Sequence, residues 1–212
     1  MQSSFEAAGP TTMRLPSRAP SFASPTLSWY MREDDGGFRI PEHWGCKGDN
    51  IVEVVQLCMA FLNLRMSPQT LGAWKELQTK MSLIDKTRML TLYVLAEDSP
   101  FNVEAESTIN VHARGLDARC PSLYQMHKAT GIDFAVQAVL LTKSLTAEIM
   151  YEACRAIETH NLSSFTFVCA HATHRSCGCA VLLAILAYQN AQIILSTKRT
   201  KDAAIEGGMI AV

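Results

Sequence analysis

The run Phe165-Thr166-Phe167-Val168, followed by Cys169-Ala170-His171-Ala172-Thr173-His174-Arg175-Ser176 and then by the apolar stretch Ala180 to Tyr188, constrains this chain more than any other feature. A short aromatic and β-branched run bounded by a polar loop reads as a buried strand. The longer apolar stretch behind it reads as a buried helix, from about Cys177 to Asn190. A strand that enters a helix through so short a loop is the repeating unit of parallel sheets. The same loop aims the N–H groups of a helix start, together with the Arg175 guanidinium, at one spot, where an anion and above all a phosphate would sit.

The rest of the chain fits an α/β fold, a small and mostly parallel sheet flanked by helices, with extra N-terminal helices. Ile109, Val111 and Ala113 alternate with polar neighbours and meet Gly115, which predicts a strand running into a loop. Ile132 to Leu141 reads as helix. Ser144 or Thr146 is placed to cap the next one, whose apolar face is Ile149, Met150, Ala153, Cys154 and Ile157, with a turn at His160-Asn161. A last strand is expected over Ala191 to Ser196. Upstream, Asp49 or Asn50 would cap a helix reaching about Arg65, Pro68 opens a second helical piece over Gln69 to Lys80, and Leu83 to Glu97 reads as helix. In sheets of this kind ligands bind beyond the carboxyl ends of the strands, where both Arg114 and the Cys169 loop fall.

Three chemistries compete for the loop. A thiol at a strand end, facing a helix N-terminus and an arginine, has its pKa lowered and becomes a nucleophile. Cysteine, five residues, arginine and serine is also the skeleton of the protein tyrosine phosphatase signature, in which Cys169 would attack phosphorus and Arg175 would clamp the oxygens. Such an enzyme also needs a general acid, for which Asp117 or Asp133 can be nominated by position. Against it, Val168 stands where those phosphatases carry His, and residues 170–174 hold no glycine. A metal is the second chemistry, since Cys169, His171, His174, Cys177 and Cys179 fall within eleven residues. Their spacing is not that of a zinc knuckle, and Cys177 and Cys179 open an apolar helix, so buried thiols are the better account and no metal or other cofactor is expected. The third account is an ordinary strand-to-helix turn.

Taken together, His112-Ala113-Arg114-Gly115-Leu116-Asp117, His127-Lys128-Ala129-Thr130-Gly131-Ile132-Asp133 and Val168-Cys169 to His174-Arg175-Ser176 resemble, in order and spacing, the C-terminal domain of the RapZ family of RNase adapter proteins. The similarity spans residues 107–202. It implies an α/β module that binds a phosphorylated small molecule, an amino-sugar phosphate in the bacterial adapters, and that regulates rather than turns over. Carried across, His174, Arg175 and Ser176 would contact phosphate, Cys169 would be part of the loop, Arg114 would match the arginine of the strand end, and Thr130 with Gly131 the turn. His171 and Ala172 replace the family's glycine pair, with His171 kept among the ligand-facing candidates, and His112 replaces its Asp. The family's nucleotide-binding half has no counterpart, because no Walker-type loop occurs here. A protein partner fits a regulatory module. For RNA, the only local signal is the small basic cluster Lys198, Arg199 and Lys201.

Composition sets the frame around this domain. Residues 1–28 hold four of the eight prolines and a single acid, Glu6, which predicts a disordered leader; the same composition suits an organelle transit peptide. Residues 29–106 are expected as a helical and irregular region packed on the core, and 203–212, with Gly207-Gly208, as a flexible tail. A net charge of −1 gives no global pull toward nucleic acid or an anionic membrane. Seven cysteines, an odd number, predict free thiols and hence an intracellular, cytoplasmic protein, and no apolar run is long enough for a membrane span.

Overall fold

The computed structural model describes residues 37–44, 50–99, 106–118 and 129–212. The expected leader, Trp29, His127 and Lys128 lie outside them. The fold is α/β, built on a six-stranded mixed sheet whose spatial order is β3-β4-β2-β5-β1-β6. The strands are β1 (Gly37–Arg39), β2 (Thr91–Ala96), β3 (Thr108–Asn110), β4 (Ser164–Cys169), β5 (Gln192–Leu195) and β6 (Ile210–Ala211). Four of them, β3, β4, β2 and β5, run parallel, whereas β1 is antiparallel to both β5 and β6.

The helices are α1 (Ile51–Phe61), α2 (Pro68–Met81), α3 (Phe134–Leu141), α4 (Ser144–His160), α5 (Arg175–Leu186) and α6 (Lys198–Glu206). α5 lies against β2, β4 and β5 and also packs on α3 and α4, which ties the sheet to the helical layer. It is buried all round, so it shows no apolar stripe to read by periodicity. Trp74, Leu77, Leu92, Val94, Phe165, Phe167, Ile149, Met150 and Tyr188 are among the fully buried side chains of one continuous core.

Several boundaries differ from expectation for identifiable reasons. The segment read as helix over Leu83 to Glu97 contains β2, at the middle of the sheet between β4 and β5. A six-residue apolar run gives no periodicity to separate strand from buried helix, and tertiary pairing decides. Residues 203–212 are not a flexible tail: α6 continues to Glu206, Met209 is buried, and β6 pairs with β1. Part of the helical and irregular region expected over residues 29–106 is β1, also a sheet strand. α1 stops at Phe61 instead of near Arg65 because Asn63 adopts a left-handed φ of 53° and turns the chain. Lys143, rather than Ser144 or Thr146, occupies the N-cap position of α4, and α5 starts at Arg175, earlier than Cys177. No helix among the described residues is long and apolar enough to cross a membrane.

Candidate functional site

The parallel strands β2, β3 and β4 end at one edge of the sheet, and the chain leaves β4 through Ala170 to His174 before α5 begins. At the floor of that loop the Cys169 Sγ lies 3.1 Å from the Ser176 Oγ, both groups buried. Burial alone would raise the thiol's pKa. The Ser176 hydroxyl, the amides of Ser176 and His171, and the Arg175 charge outweigh it and hold the thiol below its ordinary range. Cys177 and Cys179, in the first turns of the same helix, have no such donors sufficient to offset full burial, and their thiols are pushed far up. Of these three thiols, the environment shifts one toward easier ionisation and two away from it.

Ala172, fully buried, has a left-handed φ of 50°. A glycine would take that conformation without steric cost, so the loop bends as a glycine-containing one would, although its sequence shows none. The Thr173 hydroxyl donates to the His171 carbonyl at 2.8 Å and closes the bend. His171 is exposed, while His174 and Arg175 are half-buried at its mouth.

The Thr130-Gly131 turn is a buttress for this loop. The Gly131 N–H donates to the Thr173 carbonyl at 2.7 Å. A Cβ at Gly131 would lie 2.1 Å from the Gly178 nitrogen and 2.6 Å from the His174 oxygen, so only glycine allows the turn to seat against the start of α5. Asp133 accepts from the Thr130 amide at 2.5 Å and from its hydroxyl at 3.0 Å, and the Gln137 side chain donates to the carbonyls of Gly131 and Ile132. Asp133 is thus occupied in holding the turn, and Thr130, 3% exposed, faces it rather than the loop mouth.

Two other expected residues separate. Arg175 donates from Nη1 to the Leu116 carbonyl at 3.2 Å, which fastens the segment after β3 to the loop. Arg114, by contrast, pairs with Glu152 of α4 and lines a cleft of about 350 Å³ with Glu76, Glu148, Tyr151 and Arg155, none of them from the Cys169 loop. Asp117 lies exposed in the segment that Arg175 fastens. Lys198, Arg199 and Lys201 open α6, and Arg199 donates to the Ala129 carbonyl at 3.1 Å, so part of this basic cluster is structural. Ser176, fully buried, directs its hydroxyl to the Cys169 thiol instead of to the loop mouth.

Sequence reasoning missed Glu97, Asn110 and Gln137. Glu97 follows β2, whose sequence reads as helix, so no pattern places it at a strand end. Its carboxylate accepts from the Asn110 amide at 2.9 Å and meets the His112 Nδ1 at 3.1 Å. These bonds, together with the charges of His112 and Arg175, keep Glu97 ionised below the usual carboxylate range, against a smaller opposing effect of desolvation.

No family model, no curated protein and no solved structure matches the chain.

Proposed function

We propose that the loop from Cys169 to Ser176 holds the phosphate of a phosphorylated small molecule, in a binding module of the kind the RapZ C-terminal resemblance implies. The observation that carries this reading is the bent loop itself. It stands at the carboxyl end of β4 and leads directly into α5, with Arg175 fastened beside it and the glycine turn behind it. The first amides of α5 supply partial positive charge, Arg175 supplies a full one, and His171 and His174 stand at the rim. Ser176 and Cys169 form the floor, and Thr130, Gly131 and Asp133 act by holding the loop in shape. Titration calorimetry with inorganic phosphate and with sugar phosphates tests it. Binding by the wild type that is lost in Arg175→Ala is expected, and absence of binding to any of these anions sinks the reading.

A second reading is favoured by one observation. A pocket that only stores phosphate has no use for a thiol held toward its anionic form at the floor, because a thiolate repels the bound oxygens. The Ser176 Oγ at 3.1 Å from Sγ, together with two backbone amides, lowers the pKa of the Cys169 thiol against the effect of its burial. Hydrolysis of a phosphomonoester, with Cys169 as nucleophile and Arg175 as clamp, uses that arrangement. Release of inorganic phosphate from aryl and alkyl phosphates by the wild type, abolished in Cys169→Ser, supports this enzyme. Binding without turnover leaves the first reading alone.

A further inference from the structure

Pairing registers place two further groups beside the loop. Ala96 is opposite Cys169 in the β2–β4 pairing, and the Glu97 N–H donates to the Cys169 carbonyl at 3.1 Å. On the other flank Asn110 is opposite Val168, and the Val111 N–H donates to the Val168 carbonyl at 2.9 Å, which brings His112 beside the chain as it leaves β4. β4 lies between β2 and β3, so the Glu97 and His112 side chains meet across the start of the loop, at 3.1 Å. Asn110 sets this contact twice over. Its Nδ2 donates to Glu97 at 2.9 Å, and its Oδ1 accepts the amides of His112 and Ala113 at 3.0 and 2.9 Å.

The pair is open to solvent, with side-chain exposures of 47% for His112 and 39% for Glu97. With Nδ1 engaged by the carboxylate, Nε2 is the ring nitrogen left for another partner, and the carboxylate fixes the orientation of the ring. Arg175 is near enough for its charge to act on Glu97, so thiol, guanidinium, carboxylate and imidazole share one edge of the sheet. Arg114, on the same turn as His112, is drawn away to Glu152.

We infer that His112, oriented by Glu97 and Asn110, is the proton-transfer residue of this site, a role that rests on the hydrolytic reading. The Cys169 thiolate attacks phosphorus, and an S–P bond forms as the P–O bond to the leaving group breaks. The bonding pair goes to the leaving oxygen, which takes the proton from His112 Nε2 and departs as an alcohol. Water then attacks phosphorus, neutral His112 accepts its proton, and the S–P pair returns to Cys169 as inorganic phosphate forms. His112 touches the reacting oxygen and is catalytic in this scheme; Glu97 and Asn110 are positioning residues. This reassigns the acid away from both Asp117 and Asp133, the second of which is bound to the Thr130 turn.

Leaving-group dependence is the test. p-Nitrophenyl phosphate, whose leaving oxygen departs without a proton, and glycerol phosphate, whose alkoxide needs one, are compared as substrates of wild type, His112→Asn and Glu97→Gln. General-acid loss predicts a fall of about 100-fold or more with glycerol phosphate in His112→Asn, and only a few-fold fall with the aryl ester. Glu97→Gln should fall in the same order but by less, and circular dichroism of both variants verifies folding. Equal losses on the two substrates overturn the assignment. Wild type that binds phosphate but turns over neither ester overturns it while leaving the binding reading intact, whereas wild type that binds no phosphate removes both. In wild type, the His112 ring resonances should also shift on adding orthophosphate and stay in place in Arg175→Ala; a ring that ignores bound phosphate is not at the site.

Discussion

Gly131 and Ala172 show how single residues set the loop. Gly131→Ala would drive a methyl into backbone atoms of Gly178 and His174, which cannot swing aside as a side chain could. Overpacking of this kind costs about 1–3 kcal/mol, and urea denaturation should show it together with weaker phosphate binding by calorimetry. Ala172 poses the opposite case. Its left-handed backbone costs roughly 1–2 kcal/mol, but its buried methyl and the chain entropy a glycine would add return about as much. Ala172→Gly should therefore lie within about 1 kcal/mol of wild type, whereas Ala172→Val, β-branched at a positive φ, should be clearly less stable by the same denaturation measurement. Cys169 carries the pH prediction. Its folded pKa lies below that of an unfolded thiol, so its ionisation adds stability above the unfolded value, and that contribution is lost as pH falls through the folded one. Alkylation by iodoacetamide, followed by peptide mass spectrometry, should reach half-maximal rate at a lower pH for Cys169 than for a free thiol. Ser176→Ala should move that midpoint upward. The cysteine, arginine and serine were legible from spacing alone; the function of Ser176 under the thiol was not, because a one-dimensional pattern does not say which way a helical hydroxyl points.

At the scale of elements, local signals identified most helices and failed where packing overrides them. α2 announces itself by Ser67 before Pro68, and the Ser67 Oγ accepts the Thr70 N–H at 3.0 Å. Ser67→Ala should cost about 1 kcal/mol in thermal or chemical denaturation. β2 had no such signal: Leu92 and Val94 are buried, Thr91, Tyr93 and Leu95 are half-buried, and six residues are too few to reveal a period. α4 contributes Cys154, whose thiol is pushed up to about 12, chiefly by burial, with the Glu158 charge adding to it. A raised folded pKa means stability that is complete below the unfolded thiol value and declines as pH rises toward the folded one. Stability measured against pH on the alkaline side should accordingly fall less steeply in Cys154→Ala than in wild type.

For the whole molecule, the decisive contacts join segments far apart in the chain. β6 closes the sheet beyond β1, the Val212 N–H donates to the Gly37 carbonyl at 3.0 Å, and Met209 is buried. Removing residues 209–212 should lower stability by about 1.5–3 kcal/mol for the lost methionine burial, read as a reduced urea midpoint. The sequence by itself determined the parallel β4-loop-α5 unit and the amphipathic α4, because each is encoded within a few neighbouring residues through apolar runs, caps and turn formers. Only the tertiary structure decided that β2 sits in the middle of the sheet, that Gly131 supports the Thr173 carbonyl, that Arg114 belongs to Glu152, and that Glu97 meets His112 over the thiol loop. Those partners are far apart in sequence, and which of them meet depends on strand order and on backbones approaching to within a hydrogen bond. No local pattern encodes either.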